Sequence, residues 1–276
     1  MQDFKNKVAV VTGAASGIGR GLAEQCGNEG MAVVLADVNE SALQTLKTEL
    51  ERQNVTVIAV PTDVANAAAV DNLAAATVDA FGSVDLLFNN AGVLISGFSW
   101  EKTEQEWDWI LGINLKGVIN GARSFIPLML KQGTPAHIVN TSSLAGLLAA
   151  PSMGPYTVGK QAVVALSETI HYELQSIDAP VKVSVLCPGQ VATDIMRSEK
   201  RSPVQGAVKN TAQQQLEQFL QRGIDAGMSP RQCAKIVFDA IRVGKFWIFP
   251  HPEFKPAYQL RIDSVMNETN PIYQNY

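Results

Sequence analysis

A glycine-rich turn between an apolar run and a helix-forming stretch constrains this chain most. Lys7–Thr12 (KVAVVT) is almost wholly apolar and is typical of a parallel strand covered on both faces. Gly13–Gly19 (GAASGIG) follows at once, and then Arg20–Glu29, which is rich in Ala, Leu and Glu. Glycines let the backbone approach a pyrophosphate closely, at the positive end of a helix dipole. The spacing is G-x-x-x-G-x-G, and by itself it fits a purely structural tight turn equally well.

Strand-like and helix-like segments alternate along the rest of the chain. This order predicts a parallel sheet with right-handed crossovers and helices on both faces, and a length of 276 residues fits one α/β domain covering 1–276. The predicted strands after the first are Met31–Ala36, Val55–Val60, Val84–Phe88, His137–Thr141, Val181–Leu186 and Phe246–Phe249; the predicted helices are Ser41–Arg52, Ala67–Ala80, a pair within Trp100–Asn120, and one from Pro155 to Gln175.

An acidic residue ends the second predicted strand. Asp37 lies eighteen residues after Gly19, where a carboxylate can accept hydrogen bonds from the ribose hydroxyls of an adenine dinucleotide. The same charge would repel a 2′-phosphate, and neither Ser16 nor Val38 offers the basic side chain that NADP usually requires. NAD is therefore favoured over NADP. The alternative is that Asp37 only introduces the following helix.

Tyr156 and Lys160 stand four residues apart, one turn of a helix, so their side chains share a face. A neighbouring ammonium stabilises a phenolate and lowers the tyrosine pKa, which suits the phenol to proton transfer near neutral pH. Ser143 lies thirteen residues before Tyr156, at the carboxyl end of the strand His137–Thr141, where open α/β sheets bind ligands. An isolated Y-x-x-x-K is more often an ordinary exposed pair, so other motifs must support this interpretation.

Two asparagine positions allow two interpretations each. Asn89-Asn90-Ala91-Gly92 follows a predicted strand, where asparagines are either turn residues or ligand contacts. Asn114 is a polar residue among apolar positions of a predicted helix, so it is either a structural tie or part of a site.

Composition argues against several classes of protein. The net charge of -4 and the absence of a basic block argue against a nucleic-acid partner. Cys26, Cys187 and Cys233 are scattered, which favours neither disulfides nor a metal site and suggests a cytoplasmic setting. The three histidines share no ligand spacing, so no metal is expected. We expect no secretory signal, and prolines and glycines interrupt the one long uncharged stretch, so no membrane span is expected.

Together these motifs resemble the short-chain dehydrogenase/reductase family over nearly the whole chain. The resemblance rests on five signals in order: T-G-x-x-x-G-x-G at Thr12–Gly19, N-N-A-G at Asn89–Gly92, Asn114, Ser143 with Y-x-x-x-K at Tyr156–Lys160, and P-G-x-V-x-T at Pro188–Thr193. It implies a single Rossmann-type domain with a doubly wound, seven-stranded parallel sheet, and an oxidoreductase that transfers a hydride between NAD and a secondary alcohol or ketone.

The resemblance also assigns roles. It implies that Tyr156 is the acid/base, that Ser143 hydrogen-bonds the substrate oxygen, and that Lys160 lowers the tyrosine pKa and holds the nicotinamide ribose. The Asn114 carbonyl would anchor a water that leads protons to Lys160. The implied cofactor contacts, besides Tyr156 and Lys160, are Gly13, Ser16, Ile18, Gly19, Asp37, Asp63, Val64, Asn90, Gly92, Val191 and Thr193.

Family members commonly form dimers or tetramers, so a homo-oligomer is expected; Trp107 and Trp109 would lie either at an interface or in the core. Two rival functions are an NAD-binding regulatory protein without turnover and an epimerase or dehydratase that retains its cofactor. Retention of Ser143, Tyr156, Lys160 and Asn114 argues against the first. The short chain after the seventh predicted strand argues against the second.

Residues 194–228 form a long connection that is expected to be a substrate-binding lid, and 250–276 form a C-terminal tail. The first half of the lid, SEKRSPVQGAVKN, is polar and expected to be mobile, whereas Thr211–Arg222 is expected to be helical. The candidate substrate contacts are mostly apolar and include no basic residue: Val93, Leu94, Leu144, Leu147, Met153, Gln190, Ile195 and Met196. They favour a hydrophobic secondary alcohol or ketone, aryl or alicyclic. A pocket found to be lined by Arg197, Lys200 or Arg201 in a liganded structure would contradict an uncharged substrate.

Overall fold

Seven parallel strands form the centre of the molecule. The structure is a computed structural model that describes residues 1–204 and 209–273. The strand order is β3-β2-β1-β4-β5-β6-β7, with every neighbouring pair parallel. This confirms the predicted doubly wound α/β fold. The strands are β1 Val8–Thr12, β2 Ala32–Asp37, β3 Val57–Pro61, β4 Leu86–Asn89, β5 Ala136–Thr141, β6 Val181–Leu186 and β7 Trp247–Ile248.

Helices connect the strands and cover both faces of the sheet. Several begin at the capping residues that the sequence supplies: the Asn66 side chain accepts from Ala68 N and Ala69 N, and Thr103 forms a reciprocal capping box with Glu106. The helices are α1 Gly17–Asn28, α2 Glu40–Arg52, α3 Ala67–Phe81, α4 Glu104–Leu111, α5 Gly117–Gln132, α6 Gly154–Ser176, α7 Thr211–Asp225, α8 Pro230–Arg242 and α9 Lys255–Met266.

The continuous apolar pattern of β1 is explained by two separate cores. Ala9 and Val11 face one cluster, in which the ring of Phe238 lies tilted against the rings of Phe4 and Phe88. Val8 and Val10 face the other cluster, beneath α3 and α5. Successive side chains of a strand point to opposite faces, so a strand covered on both sides must be apolar at every position.

Thr12 joins the ends of β1 and β4. Its Oγ1 donates to Phe88 O at 3.1 Å and accepts from Asn90 N at 2.9 Å and Ala91 N at 3.1 Å. Thr12 itself is buried. One hydroxyl therefore satisfies three backbone groups at the point where both strands reach the carboxyl edge of the sheet.

Two predicted elements differ from the structure. The predicted helix pair within Trp100–Asn120 is a 3-10 turn at Ser99–Glu101 followed by one helical run, in which a π-helical turn, Gly112–Lys116, joins α4 to α5. No proline or helix-ending signal separates α4 from α5, and the π-helical turn accommodates one extra residue without a break. The seventh strand is only Trp247–Ile248 rather than Phe246–Phe249, since only these two residues pair with β6.

Residues 194–228 and 250–276 contain further helices in their described parts. The 3-10 helix Ile195–Arg201 precedes α7, which confirms the predicted helix Thr211–Arg222 and extends it to Asp225. Ser198 and Ser202 in the polar first half are buried, and residues 205–208 lie outside the described residues. The tail contains a 3-10 turn, Pro252–Phe254, and α9. No helix in the described ranges is long and apolar enough to cross a membrane.

Replacing Thr12 by valine should destabilise the fold. Thr12→Val keeps the shape of the side chain but leaves Asn90 N and Ala91 N without this acceptor, and we expect a loss of about 1–3 kcal/mol in the free energy of unfolding. Urea denaturation measures it. Thr45→Val is the matched control, since the exposed Thr45 hydroxyl only donates to Ser41 O within α2. Equal stability of the two variants would contradict a central role for Thr12.

Candidate active site

The glycine turn after β1 forms a cradle at the N-terminus of α1. Gly13 has a φ of +65°, and a Cβ there would lie 2.8 Å from Ala91 Cα, so only glycine fits. Gly17 has a φ of +51° and lies against the Thr193 methyl group. Ser16 precedes α1 in an extended conformation and its side chain does not cap the helix. The first N–H groups of α1 are thus available to an anion.

Asp37 is held at the end of β2 by two backbone amides. Its Oδ2 accepts from Ala15 N at 3.1 Å and its Oδ1 from Asn39 N at 2.9 Å. Both bonds fix the carboxylate beside the glycine turn, and Asp37 lines the same cavity as Gly13. The helix-introducing alternative does not describe this arrangement, since Asn39 caps α2.

Asn90 and Asn114 are structural ties; Asn90 lines the cavity, and Asn114 is bonded to Val93, which lines it. Asn90 Nδ2 donates to Thr12 O at 3.0 Å. Asn114 lies in the π-helical turn, fully buried, and its side chain accepts from Val93 N and donates to Val93 O, each at 2.8 Å. Both the oxygen and the nitrogen of the Asn114 side chain are thus engaged, and they hold the loop after β4 in place. The structure brings both asparagines to the edge that the sequence predicted.

Ser143, Tyr156 and Lys160 meet at the carboxyl end of β5. Ser143 begins a 3-10 turn, Leu144–Gly146, and its Oγ accepts from Ala145 N at 3.1 Å. Tyr156 and Lys160 lie in the first two turns of α6, and Lys160 Nζ is 5.7 Å from the centre of the Tyr156 ring. All three line one cavity. The predicted constellation is therefore assembled.

Burial governs the protonation of this group. Desolvation lowers the pKa of Lys160 to about 8, and its Nζ donates to Thr141 O at 2.8 Å. Burial also raises the pKa of Tyr156, with the Ser143 hydroxyl acting in the opposite direction. The Y-x-x-x-K spacing predicts a lowered tyrosine pKa; in the chain by itself the net direction is the opposite, because burial of the phenol is the largest influence on that pKa.

A cavity of about 700 Å³ runs from the glycine turn past Tyr156 to α7. It includes most of the predicted cofactor positions and six of the predicted substrate positions. The predicted residues that line it are Gly13, Ser16, Ile18, Asp37, Asp63, Val64, Asn90, Gly92, Val93, Leu94, Ser143, Leu144, Met153, Tyr156, Lys160, Gln190, Val191, Thr193 and Ile195.

Four predicted residues do not line the cavity. Gly19 instead allows α1 to pack on the turn, since a Cβ there would lie 2.0 Å from Gly13 O. Leu147 is buried against Val164 in a core cluster near β7, and Met196 packs beside the cavity rather than on its wall. Asn114 acts through Val93. Leu147 follows a 3-10 turn and Met196 lies within a 3-10 helix. In such segments a three-residue period decides which side chains face the cavity.

Several lining residues were not predicted. The 3-10 helix contributes Arg197, Ser198 and Arg201, and the tail contributes Phe254 and Tyr273. Arg197 and Arg201 thus add basic side chains to a lining for which the predicted positions included none, whereas Lys200 does not line the cavity. The three-residue period of a 3-10 helix places Ser198 and Arg201 on the same side as Ile195. This segment was expected to be mobile, so no helical period was applied to it.

Polar contacts fasten the 194–228 segment to the loop after β4. Ser198 Oγ accepts from Leu94 N at 2.8 Å, and Gln213 Nε2 donates to Ser96 O at 3.1 Å. Glu217 bonds the Ser96 hydroxyl. These contacts join α7 to the wall of the cavity, and no local sequence pattern predicts them because the partners are more than 100 residues apart.

His251 of the tail supports the loop after β6. Its Nδ1 accepts from Gly189 N at 3.0 Å, while Leu144 N donates to Pro188 O at 2.9 Å. Among the described residues, no group of three or more His, Cys, Asp or Glu side chains could hold a metal ion.

Residues 7–203 match the family described as short chain dehydrogenase. The chain belongs to the short-chain dehydrogenase/reductase family. It is similar to a CLA biosynthesis dehydrogenase/reductase from Lactiplantibacillus plantarum, with 34% identity over 98% of this chain and 97% of the relative. It is also similar to a C alpha-dehydrogenase from a Sphingobium species, with 31% identity over 99% of this chain and 89% of the relative.

A solved structure of a family member shares the whole fold. The short-chain dehydrogenase/reductase from Burkholderia phymatum, in complex with NAD, is 42% identical, with a TM-score of 0.97 over 100% of both chains. Dehydrogenases that act on hydroxyl groups are thus among the relatives. This family is one of oxidoreductases that use a nicotinamide cofactor and a small-molecule substrate.

The buried lysine predicts a pH dependence of stability. The Lys160 pKa of about 8 lies below that of an unfolded lysine, so above pH 8 the unfolded chain binds more protons and stability rises. Relative to Lys160→Met, the parent should gain about 2 kcal/mol in unfolding free energy between pH 7 and 9.5. Urea denaturation of both proteins at each pH measures this difference. Burial raises the pKa of the three cysteines, which also makes stability depend on pH, but this contribution is common to both proteins and largely cancels.

The control is Lys47→Met on the exposed side of α2, where Lys47 pairs with Glu51. Its stability difference from the parent should not rise over the same range. A parent-minus-Lys160→Met difference that is flat in pH would contradict a lysine buried in this manner.

Proposed function

We propose that this protein is an NAD-dependent dehydrogenase that oxidises a hydrophobic secondary alcohol, or reduces the ketone, with Tyr156 as acid/base. The arrangement that carries the proposal is the meeting of Ser143, Tyr156 and Lys160 on one wall of a cavity that continues to the glycine cradle. A regulatory protein without turnover would need only the glycine cradle and its cofactor contacts. A reducing, cytoplasmic setting and a homo-oligomer, dimer or tetramer, are part of the proposal.

The residues present fit a nicotinamide dinucleotide. The Gly13 cradle excludes any Cβ, and the uncapped N-terminus of α1 offers N–H groups for a pyrophosphate. Asp37 is placed for the adenosine ribose, and Lys160 for the nicotinamide ribose. When bound, the nicotinamide accepts or gives the hydride.

The chain's own residues would balance the proton. In oxidation, the carbinol carbon loses a hydride and the hydroxyl loses a proton, leaving a ketone. Tyr156 takes that proton on its phenolate oxygen, and the Ser143 hydroxyl holds the substrate oxygen as its charge changes. Lys160 stabilises the phenolate, and Asn114 supports the site through Val93 and through a water on its carbonyl. The apolar wall positions the rest of the substrate and excludes water.

Tyr156→Phe should abolish turnover without preventing cofactor binding. We expect kcat to fall about 100-fold or more, since general acid/base groups contribute that much. NADH formation from NAD and a panel of secondary alcohols measures turnover, and NADH fluorescence measures binding. Tyr172→Phe is the control, because Tyr172 is an exposed tyrosine on the same helix. Retained turnover in Tyr156→Phe would refute the mechanism.

The charge of Asp37 should set the choice of cofactor. Asp37→Asn keeps the shape and removes the charge that repels a 2′-phosphate, so the ratio of kcat/KM for NADP to that for NAD should rise about tenfold or more, equivalent to about 1.4 kcal/mol. Asp79→Asn, on the exposed face of α3, is the control. An unchanged ratio would favour the alternative of an NADP-dependent ketone reductase, or a determinant other than Asp37.

A second candidate is an NAD(H)-binding regulatory protein that performs no turnover. The tight polar contacts between α7 and the Ser96 loop are the observation that favours it, since they could report occupancy of the cavity. Tight NADH binding with no turnover on any alcohol, in both the parent and Tyr156→Phe, would support this function instead.

A further inference from the structure

One cation at the cavity wall, Arg201, has no ion-pair partner in the described part of the chain. In the 3-10 helix Ile195–Arg201, the three-residue period places Ile195, Ser198 and Arg201 on one face. Ser198 is bonded to Leu94 on the cavity wall, and all three residues line the cavity. Arg201 is thus the last of these three residues, starting with Ile195, that face the cavity from one side of this helix.

The other charges of this segment are already paired. Arg197 binds Asp194 at 3.1 Å. Lys209 binds Glu199 at 2.6 Å and Glu217 at 2.8 Å. Among the described residues, Arg201 has no ion pair or side-chain hydrogen bond. The acids nearest in sequence are therefore occupied, and within residues 1–204 and 209–273 the guanidinium of Arg201 has no acidic partner.

The wall beside Arg201 is otherwise apolar. Helix α7 presents Leu216, Phe219 and Leu220 to the cavity, at the i, i+3, i+4 spacing of one helix face. The tail adds Phe254 and Tyr273. Of the remaining acids on the wall, Asp37 and Asp63 lie at the glycine-turn end and Asp108 on α4, a different element. The chamber is therefore suited to an apolar body with one anionic end.

We propose that the substrate is an apolar hydroxy acid, with a carboxylate remote from its secondary hydroxyl, and that Arg201 binds this carboxylate. The inference rests on the proposed dehydrogenase function and adds the charge of the substrate to it. A planar guanidinium binds a carboxylate through two parallel hydrogen bonds, which an ester cannot reproduce with equal strength.

The test compares acids with their esters. A series of (ω−1)-hydroxyalkanoates, from 5-hydroxyhexanoate to 11-hydroxydodecanoate, and the methyl ester of each are assayed with NAD. At the best chain length, we expect kcat/KM for the acid to exceed that for the ester about tenfold. In Arg201→Gln this ratio should fall to near one, and Arg201→Lys should restore part of it. Raising the salt concentration should lower the ratio in the parent, since the charge is at an exposed rim.

Arg52→Gln, which removes an exposed arginine at the end of α2, is the matched control and should leave the ratio unchanged. Turnover of the esters without preference for the acids, or a preference that survives Arg201→Gln, would overturn the inference while leaving the dehydrogenase function in place.

If no member of the series is turned over, direct binding still decides. Octanoate is titrated against 1-octanol in the presence of NADH by calorimetry, with parent and Arg201→Gln. Tighter binding of octanoate that is lost in Arg201→Gln would support the inference, whereas equal binding to both proteins would overturn it. Failure of the proposed function is distinguished by the turnover experiment with Tyr156→Phe, which does not involve Arg201.

Discussion

The rest of the site depends on the burial of Lys160 against the end of β5. Its Nζ donates to Thr141 O, and its own backbone carbonyl accepts from the Ser142 hydroxyl at 2.7 Å. These two bonds join α6 to the strand in opposite directions. Burying an ammonium opposes folding, and a hydrogen bond to one carbonyl offsets only part of that cost. The fold therefore keeps a buried lysine with a lowered pKa at the point where chemistry would occur.

Further buried hydrogen bonds fix the strands next to this lysine. Thr12 binds the end of β1 to the end of β4, and Asn89 Nδ2 donates to Asn140 Oδ1 at 2.9 Å between β4 and β5. Asn140 in turn donates to Ser167 of α6 at 3.0 Å. A chain of polar groups thus fixes β1, β4, β5 and α6 relative to one another. The same network holds the glycine cradle and Tyr156 at the carboxyl edge of the sheet.

Much of this could be predicted because the relevant signals are local. A valine-rich run before a glycine turn, and a spacing of four between Tyr156 and Lys160, each specify geometry within one or two turns. The outward-facing parts could not be predicted in this way. Leu147 and Met196 follow or occupy 3-10 segments, where the period is three, and Phe254 and Tyr273 reach the cavity from a tail that no local pattern connects to it. The direction of the Tyr156 pKa also depends on burial, which only the packed structure reveals.

The central claim is that burial, rather than the adjacent lysine, sets the protonation of Tyr156 until a cofactor is present. The most direct measurement is ultraviolet titration of the phenolate in the parent minus Tyr156→Phe, with and without NAD, which cancels the other four tyrosines. The account predicts that Tyr156 alone ionises above the ordinary pKa of about 10. Added NAD, whose nicotinamide is cationic, should lower that pKa. Ionisation near neutral pH without NAD, or a pKa that NAD leaves unchanged, would contradict the account.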